Sequence, residues 1–187
     1  MDEQDYHETV AAAFPELDRI ESDALREDVL DAWCEAMAEN GITDLDSLPC
    51  FHPLNGKLDL PDERLVPHVQ DVTRGALALA ETLTERRDLD VSLDTLIAGV
   101  LFHDVSKLYE FDSMEPTEIE ELLGHPHYAV AVVAADGLGP EIAHIVLAHT
   151  RRTAVEPAII EAEPVRRADE AAAAAIRARA LDDLQDA

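Results

Sequence analysis

The chain has 187 residues, 47% of them hydrophobic and only 4% aromatic, enough for one domain with a core of aliphatic side chains. Its 41 acidic residues against 14 basic ones give a net charge of −27, a surface that repels nucleic acid polymers and anionic membranes. So much patterned apolar sequence argues against disorder, and long strand-like alternation is scarce, so the expected fold class is all-α, a single-domain helical bundle.

Such acidity is expected of a halophilic source, where salt screens the repulsion. Cys34 and Cys50 form no close metal-type pair and no disulfide framework, so a reducing, cytoplasmic setting is expected. The opening MDEQDYHETV has no apolar h-region, so no signal peptide is expected. No apolar run approaches the roughly 20 residues of a membrane span.

In chain order, residues 1–14 predict a short helix stopped by Pro15. Residues 22–40 predict a second helix, capped by Ser22 or Asp23 and closed by Gly41. Leu25, Val29, Trp33 and Met37 recur there at helical spacing, a packing stripe with no chemistry. Residues 42–60 read as a loop, and its His52 and Lys57 as surface residues. A third helix over 66–84 puts His68 on one stripe with Val72, Ala76, Leu79 and Leu83. Taken alone, His68 reads as a core histidine bonded to a carbonyl.

Residues 93–111, LDTLIAGVLFHDVSKLYEF, are the centre of the chain. The unbroken apolar run 96–102 predicts a helix buried on most sides. His103 and Asp104 follow within it. A buried lone carboxylate costs several kcal/mol, so a positive partner is expected. Adjacent helical residues point about 100° apart, and an imidazole beside a carboxylate suits a divalent ion. Lys107 lies at i+3 from Asp104, on the same face.

A short acidic helix over 117–123 ends at Gly124. The next opens at Pro126, with His125 near its cap on the side of Ala129 and Val132, and His127 on another face. From Pro140, Ile142, Ile145, Val146 and His149 share a stripe, so His149 points inward and His144 toward solvent. Arg151 and Arg152 are candidates for an anion contact or for a charge pair at a helix end. A last helix over 164–184 places Asp169 on an apolar face with Val165, Ala172, Ala173 and Ile176, either inward or paired with Arg166. Asp182, Asp183 and Asp186 read as a frayed end.

His68, His103, Asp104 and Asp169 thus come from three helices and each can face inward. That nitrogen and oxygen donor ratio suits Mn, Fe, Co, Ni or Zn. The ordered set His…His-Asp…Asp, with the run HDVSK, resembles the HD superfamily of metal-dependent phosphohydrolases over residues 61–180. The resemblance implies residues 1–60 as an N-terminal helical extension packed on a metal-binding domain of residues 61–187. It implies His68, His103, Asp104 and Asp169 as metal ligands, with Asp104 and Lys107 as catalytic residues. One ion is expected; His125 and His149 would hold a second ion or touch substrate, and Arg151 and Arg152 would bind phosphate. HD-GYP phosphodiesterases are matched incompletely: Ala148 stands where their paired histidine would be, and no Gly-Tyr-Pro follows.

The implied activity is hydrolysis of a small anionic phosphate ester, a nucleotide or related molecule, by a metal-activated water. Two alternatives stay open: an HD-fold di-iron oxygenase using all six ligands, and a nucleotide-sensing module without turnover. A homo-oligomer is compatible with either.

Overall fold

The computed structural model describes residues 2–50, 63–112 and 115–178. Among them run eight α-helices, two 3₁₀ segments and one minimal hairpin, which agrees with the all-α expectation. His52, Lys57 and the aspartates at 182, 183 and 186 lie outside the described residues.

Helix α1 (Glu3–Ala13) is opened by a capping box between Asp2 and Asp5. A 3₁₀ turn (Pro15–Arg19) leads to α2 (Asp23–Glu39), where the Ser22 side chain accepts from Leu25 N. Val29, Trp33 and Met37 of the expected stripe are fully buried. Trp33 packs against Phe14, ring centroids 4.7 Å apart, and against Phe102 at 6.3 Å. Phe102 directly precedes His103, so the N-terminal helices support the back of the central motif. Asp94 strengthens that tie by accepting from the backbone N–H of Glu21 and of Ser22 at 2.8 and 2.9 Å.

Helix α3 (Leu65–Arg87) buries His68, Val72 and Ala76, but Leu79 is 40% exposed. The inward stripe passes through Val69, Thr73, Leu77 and Ala80 instead. At about 100° per residue, Val69, Ala80 and Thr73 lie roughly 100–140° round from His68, so the buried arc is centred near them and Leu79, about 20° from His68, falls at its edge. α3 packs along α8 (Ala162–Ala178), and a Cβ at Gly75 would sit 3.1 Å from Ala168 Cβ, so these backbones run close together.

The central stretch departs from the expectation of one helix. Helix α4 (Leu93–Phe102) ends before His103, which is its C-cap. Asp104 takes φ −117° and ψ 15°, outside the helical basin, and starts a 3₁₀ turn (Val105–Tyr109). Lys107 N donates to Asp104 O at 3.0 Å. Residues three apart eclipse one another in a 3₁₀ turn, so Lys107 and Asp104 still share a side.

A two-residue antiparallel hairpin, β1 (Phe111–Asp112) with β2 (Glu115–Pro116), turns the chain back. Short α5 (Glu118–Leu122) follows, capped by Thr117. Gly124, at φ +69°, makes the left-handed turn into α6 (His125–Ala135), with Pro126 in its first turn. α7 (Pro140–Ala148) ends at His149. α4 and α7 meet at Gly99, where a Cβ would lie 2.6 Å from Ile145 Cδ1. All the helices from α1 to α8 except α5 contribute to one hydrophobic cluster.

Candidate metal centre

Two helix ends carry the same device. The last carbonyls of a helix lack intrahelical donors. His103, capping α4, places Nδ1 2.6 Å from Val100 O, and His149, capping α7, places Nδ1 2.5 Å from Val146 O. Each carbonyl must accept, so Nδ1 carries the proton and Nε2 is left as a free ligand atom. The close α4–α7 approach brings the rings to 5.0 Å. His103 is wholly buried and its Nε2 has no hydrogen-bond partner.

Asp104 sits at the focus. Its Oδ2 lies 3.5 Å from His68 Nε2 and 3.6 Å from His103 Nε2. Its Oδ1 lies 3.6 Å from His125 Nε2 and 4.0 Å from His149 Nε2. Asp169 on α8 closes the first side, with Oδ1 3.3 Å from His68 Nε2. Hence the alternative pairing of Asp169 with Arg166 is not adopted: Arg166 engages Glu156 at 2.8 Å and Glu170 at 3.5 Å.

These separations are mostly too long for good hydrogen bonds. They match what ligands sharing an ion require: two donors about 2.1 Å from a tetrahedral centre lie about 3.4 Å apart. Buried polar groups need partners, yet His103 Nε2 and His68 Nδ1 have none. The donor set therefore fits a divalent metal. It divides into His68, His103 and Asp169 on one side and Asp104, His125 and His149 on the other, each a trio of donor atoms within 4.8 Å of one another.

The electrostatics are poised for a cation. Burial pushes the Asp104 carboxyl up, but His103, His125, Lys107 and His68 reverse this and hold it well below the usual range. Asp169 is likewise held low against burial by the His68 hydrogen bond. Burial, followed by Lys107, pushes His125 down to about 3; burial and then His103 do the same for His149. Both rings are thus neutral, the form that binds metal.

Lys107 is buried, and its Nζ donates to Glu110 Oε2 at 3.0 Å. Glu110 is 1% exposed, and its Oε1 lies 3.5 Å from His125 Nδ1. Sequence reading missed Glu110. Its only signals are its place one turn after Lys107 and its apolar flanks. Ser106 was missed too: its hydroxyl donates to His125 O at 2.7 Å and pins the start of α6 to the motif.

A cavity of about 520 Å³ opens over the centre. Arg151 and Arg152 line it, as do Thr150, Arg177 and Cys50. Arg151 Nε donates to Glu170 Oε1 at 2.7 Å, while Arg152 approaches His125 Nδ1 at 3.1 Å. His127 faces outward, and half-buried His144 accepts from Ala158 N at 2.8 Å.

A family model for the HD domain matches residues 67–174, more than half of the chain. The chain belongs to the HD domain family. The HD match begins just before His68 and includes Asp169, so it spans all six donors. Among curated proteins, the chain is similar to a dihydroneopterin 2',3'-cyclic phosphate phosphodiesterase of Methanocaldococcus jannaschii. The two are 34% identical over 112 residues, covering 57% of this chain and 45% of the relative. The HD chain therefore spans less than half the length of that relative. No solved structure matches. Among the described residues, no helix is long and apolar enough to cross a membrane.

Proposed function

We propose that this HD protein is a metal-dependent phosphohydrolase that opens a phosphodiester of a small heterocyclic molecule, a nucleotide-like or pterin-like cyclic phosphate. The observation that carries the reading is Asp104, a buried carboxylate with each oxygen turned toward a different set of imidazoles. The named activity of the similar phosphodiesterase supports the substrate class.

His68, His103, Asp104 and Asp169 would hold one divalent ion, and Asp104, His125 and His149 a second. When bound, such an ion supplies a water acidic enough to act as nucleophile near neutral pH and polarises the phosphoryl oxygen. The chain's own part is positioning and charge. His103 and His149 are oriented by helix-end carbonyls. Lys107 adds positive charge beside Asp104, tempered by Glu110. In a protein of net charge −27, Arg151 and Arg152 at the cavity wall would draw in the anionic ester and hold its phosphate.

The test is a metal-supplemented screen of 2',3'-cyclic phosphates, linear diesters and monoesters at high salt. Wild-type protein is expected to hydrolyse a cyclic phosphate, and Asp104→Ala to lose both hydrolysis and metal binding. Full activity in Asp104→Ala would end the reading. The six donors also suit a di-iron oxygenase; iron content with oxygen uptake and no phosphate-ester turnover would select that chemistry.

A further inference from the structure

Cys50 precedes the residues matched by the HD family, yet the fold carries it to the metal centre. An antiparallel bridge between Pro49 and Arg64 fastens this segment to the start of α3. Cys50 N donates to Glu63 O at 2.8 Å, and Leu65 N to Leu48 O at 2.9 Å. Cys50 is thereby held beside the first turn of α3, where His68 lies. The side chain is 1% exposed and forms part of the cavity wall.

A buried cysteine is ordinarily a small hydrophobe, and Cys34 is one, packed on α2 in the aliphatic cluster. Cys50 has different neighbours. Its sulfur and donor atoms of His68 and Asp104 all lie within 4.8 Å of one another. A second observation points to a missing ligand there: wholly buried His103 Nε2, 3.6 Å from Asp104 Oδ2, has no hydrogen-bond partner. Sulfur and nitrogen donors on one tetrahedral zinc lie about 3.6 Å apart, so at most about an ångström remains to be closed.

We propose that Cys50 is a metal ligand, its sulfur joining His68 and Asp104 in a mixed nitrogen, oxygen and sulfur donor set. Such a set takes zinc, cobalt or ferrous iron in preference to magnesium or manganese. On binding, the thiol proton passes to solvent and the sulfur lone pair to the ion, with no change of oxidation state. The inference rests on the site being a metal centre, not on what it hydrolyses.

Cobalt(II) titration of the full chain tests it. Bound cobalt gives visible d–d bands, and a thiolate ligand adds a sulfur-to-cobalt charge-transfer band in the near ultraviolet. The charge-transfer band is expected in wild type and in Cys34→Ser, where Cys50 is the sole thiol. It is expected to vanish in Cys50→Ser while d–d bands persist. Visible bands without charge transfer in wild type and Cys34→Ser would overturn the proposal even if Cys50→Ser failed to fold. Persistence of the band in folded Cys50→Ser would overturn it as well. No cobalt bands of either kind would overturn both this proposal and the metal-centre reading, whereas the expected bands without ester hydrolysis would overturn only the proposed activity.

Discussion

Lys107 and Glu110 form a buried pair at 3.0 Å, and this changes what a lysine substitution means. Removing one member of a buried pair strands the other charge, at a cost on the order of 3–5 kcal/mol. Lys107→Ala is therefore expected to lower stability as well as turnover. Lys107→Ala/Glu110→Ala should be less destabilised than the sum of the single variants, which denaturant melts in a double-mutant cycle will read. Additive losses would mean that the pair is not coupled. His125 and His149 set the acid limit. Both are held neutral when folded, at about 3, by burial and then by Lys107 for the first ring and His103 for the second. Unfolded histidine titrates near about 6.5, so the unfolded chain binds more protons between about pH 6.5 and pH 3, and stability falls as pH drops through that window. Each ring contributes about 1.4 kcal/mol per pH unit. Asp104 and Asp169, held low, lose their contribution as pH falls below the ordinary aspartate value, whereas His68, held high against burial by the Asp169 hydrogen bond, loses its own as pH rises above the ordinary histidine value. Thermal melts of chelator-treated protein should show the acid slope, and His149→Gln should flatten it. An equal slope in that variant would reject the assignment.

At the scale of elements, the centre depends on two helix ends meeting. α4 delivers His103 and α7 delivers His149, and Gly99 lets the helices close. A Cβ there would lie 2.6, 2.8 and 2.9 Å from three carbons of Ile145, including its Cβ, so the backbone itself must yield. Gly99→Ala gains up to about 1 kcal/mol of helix propensity but meets overpacking of about 1–3 kcal/mol. A net loss is expected, and it should reach the metal centre because the helix ends move apart. Melting temperature and zinc affinity should both fall in Gly99→Ala. Gly75→Ala is a milder comparison, since its Cβ meets only Ala168, at 3.1 Å. Zinc affinity unchanged in Gly99→Ala would show that the α4–α7 spacing does not set the site.

For the molecule as a whole, the dominant quantity is the charge of −27. Exposed ion pairs such as Arg19–Glu81 and Arg167–Glu163 recover little, because pairs of that kind are worth about 1 kcal/mol or less. Raising salt from about 0.1 M to about 1 M shortens the screening length from about 10 Å to about 3 Å. Repulsion falls more than those weak attractions do, so melting temperature should rise with salt. The same melts in sodium chloride decide the halophilic expectation: a melting temperature that is flat or falling between low and molar salt would reject it.

The all-α class was legible from the sequence because helical periodicity is local: Val29, Trp33 and Met37 are buried where their spacing puts them. His68, His149 and Asp169 stood out as polar residues on apolar stripes and His103 and Asp104 as polar residues in an apolar run, but His68 taken alone read as a core histidine, and it was the ordered resemblance to the HD superfamily that grouped these residues with His125 as candidate ligands. Other features required the tertiary structure. The helix on the apolar run 96–102 read as continuing through His103 and Asp104, but Asp104 leaves the helical basin, and its carboxylate faces both sets of imidazoles. Nothing in helical spacing signals that break. Lys107 read as a catalytic residue on the face of Asp104, and its partner Glu110 was hidden because an acid in an acidic chain carries no signal until its burial is known. Cys50 and Gly99 belong to the same class: Cys50 reaches the cavity wall through the neighbouring Pro49–Arg64 bridge, and Gly99 lies against Ile145 where α4 meets α7. The sequence by itself determined which side chains must avoid water or find a partner, a property of each residue and its near neighbours. Which partners they find depends on contacts between segments far apart in the chain, and only the packed helices decided those.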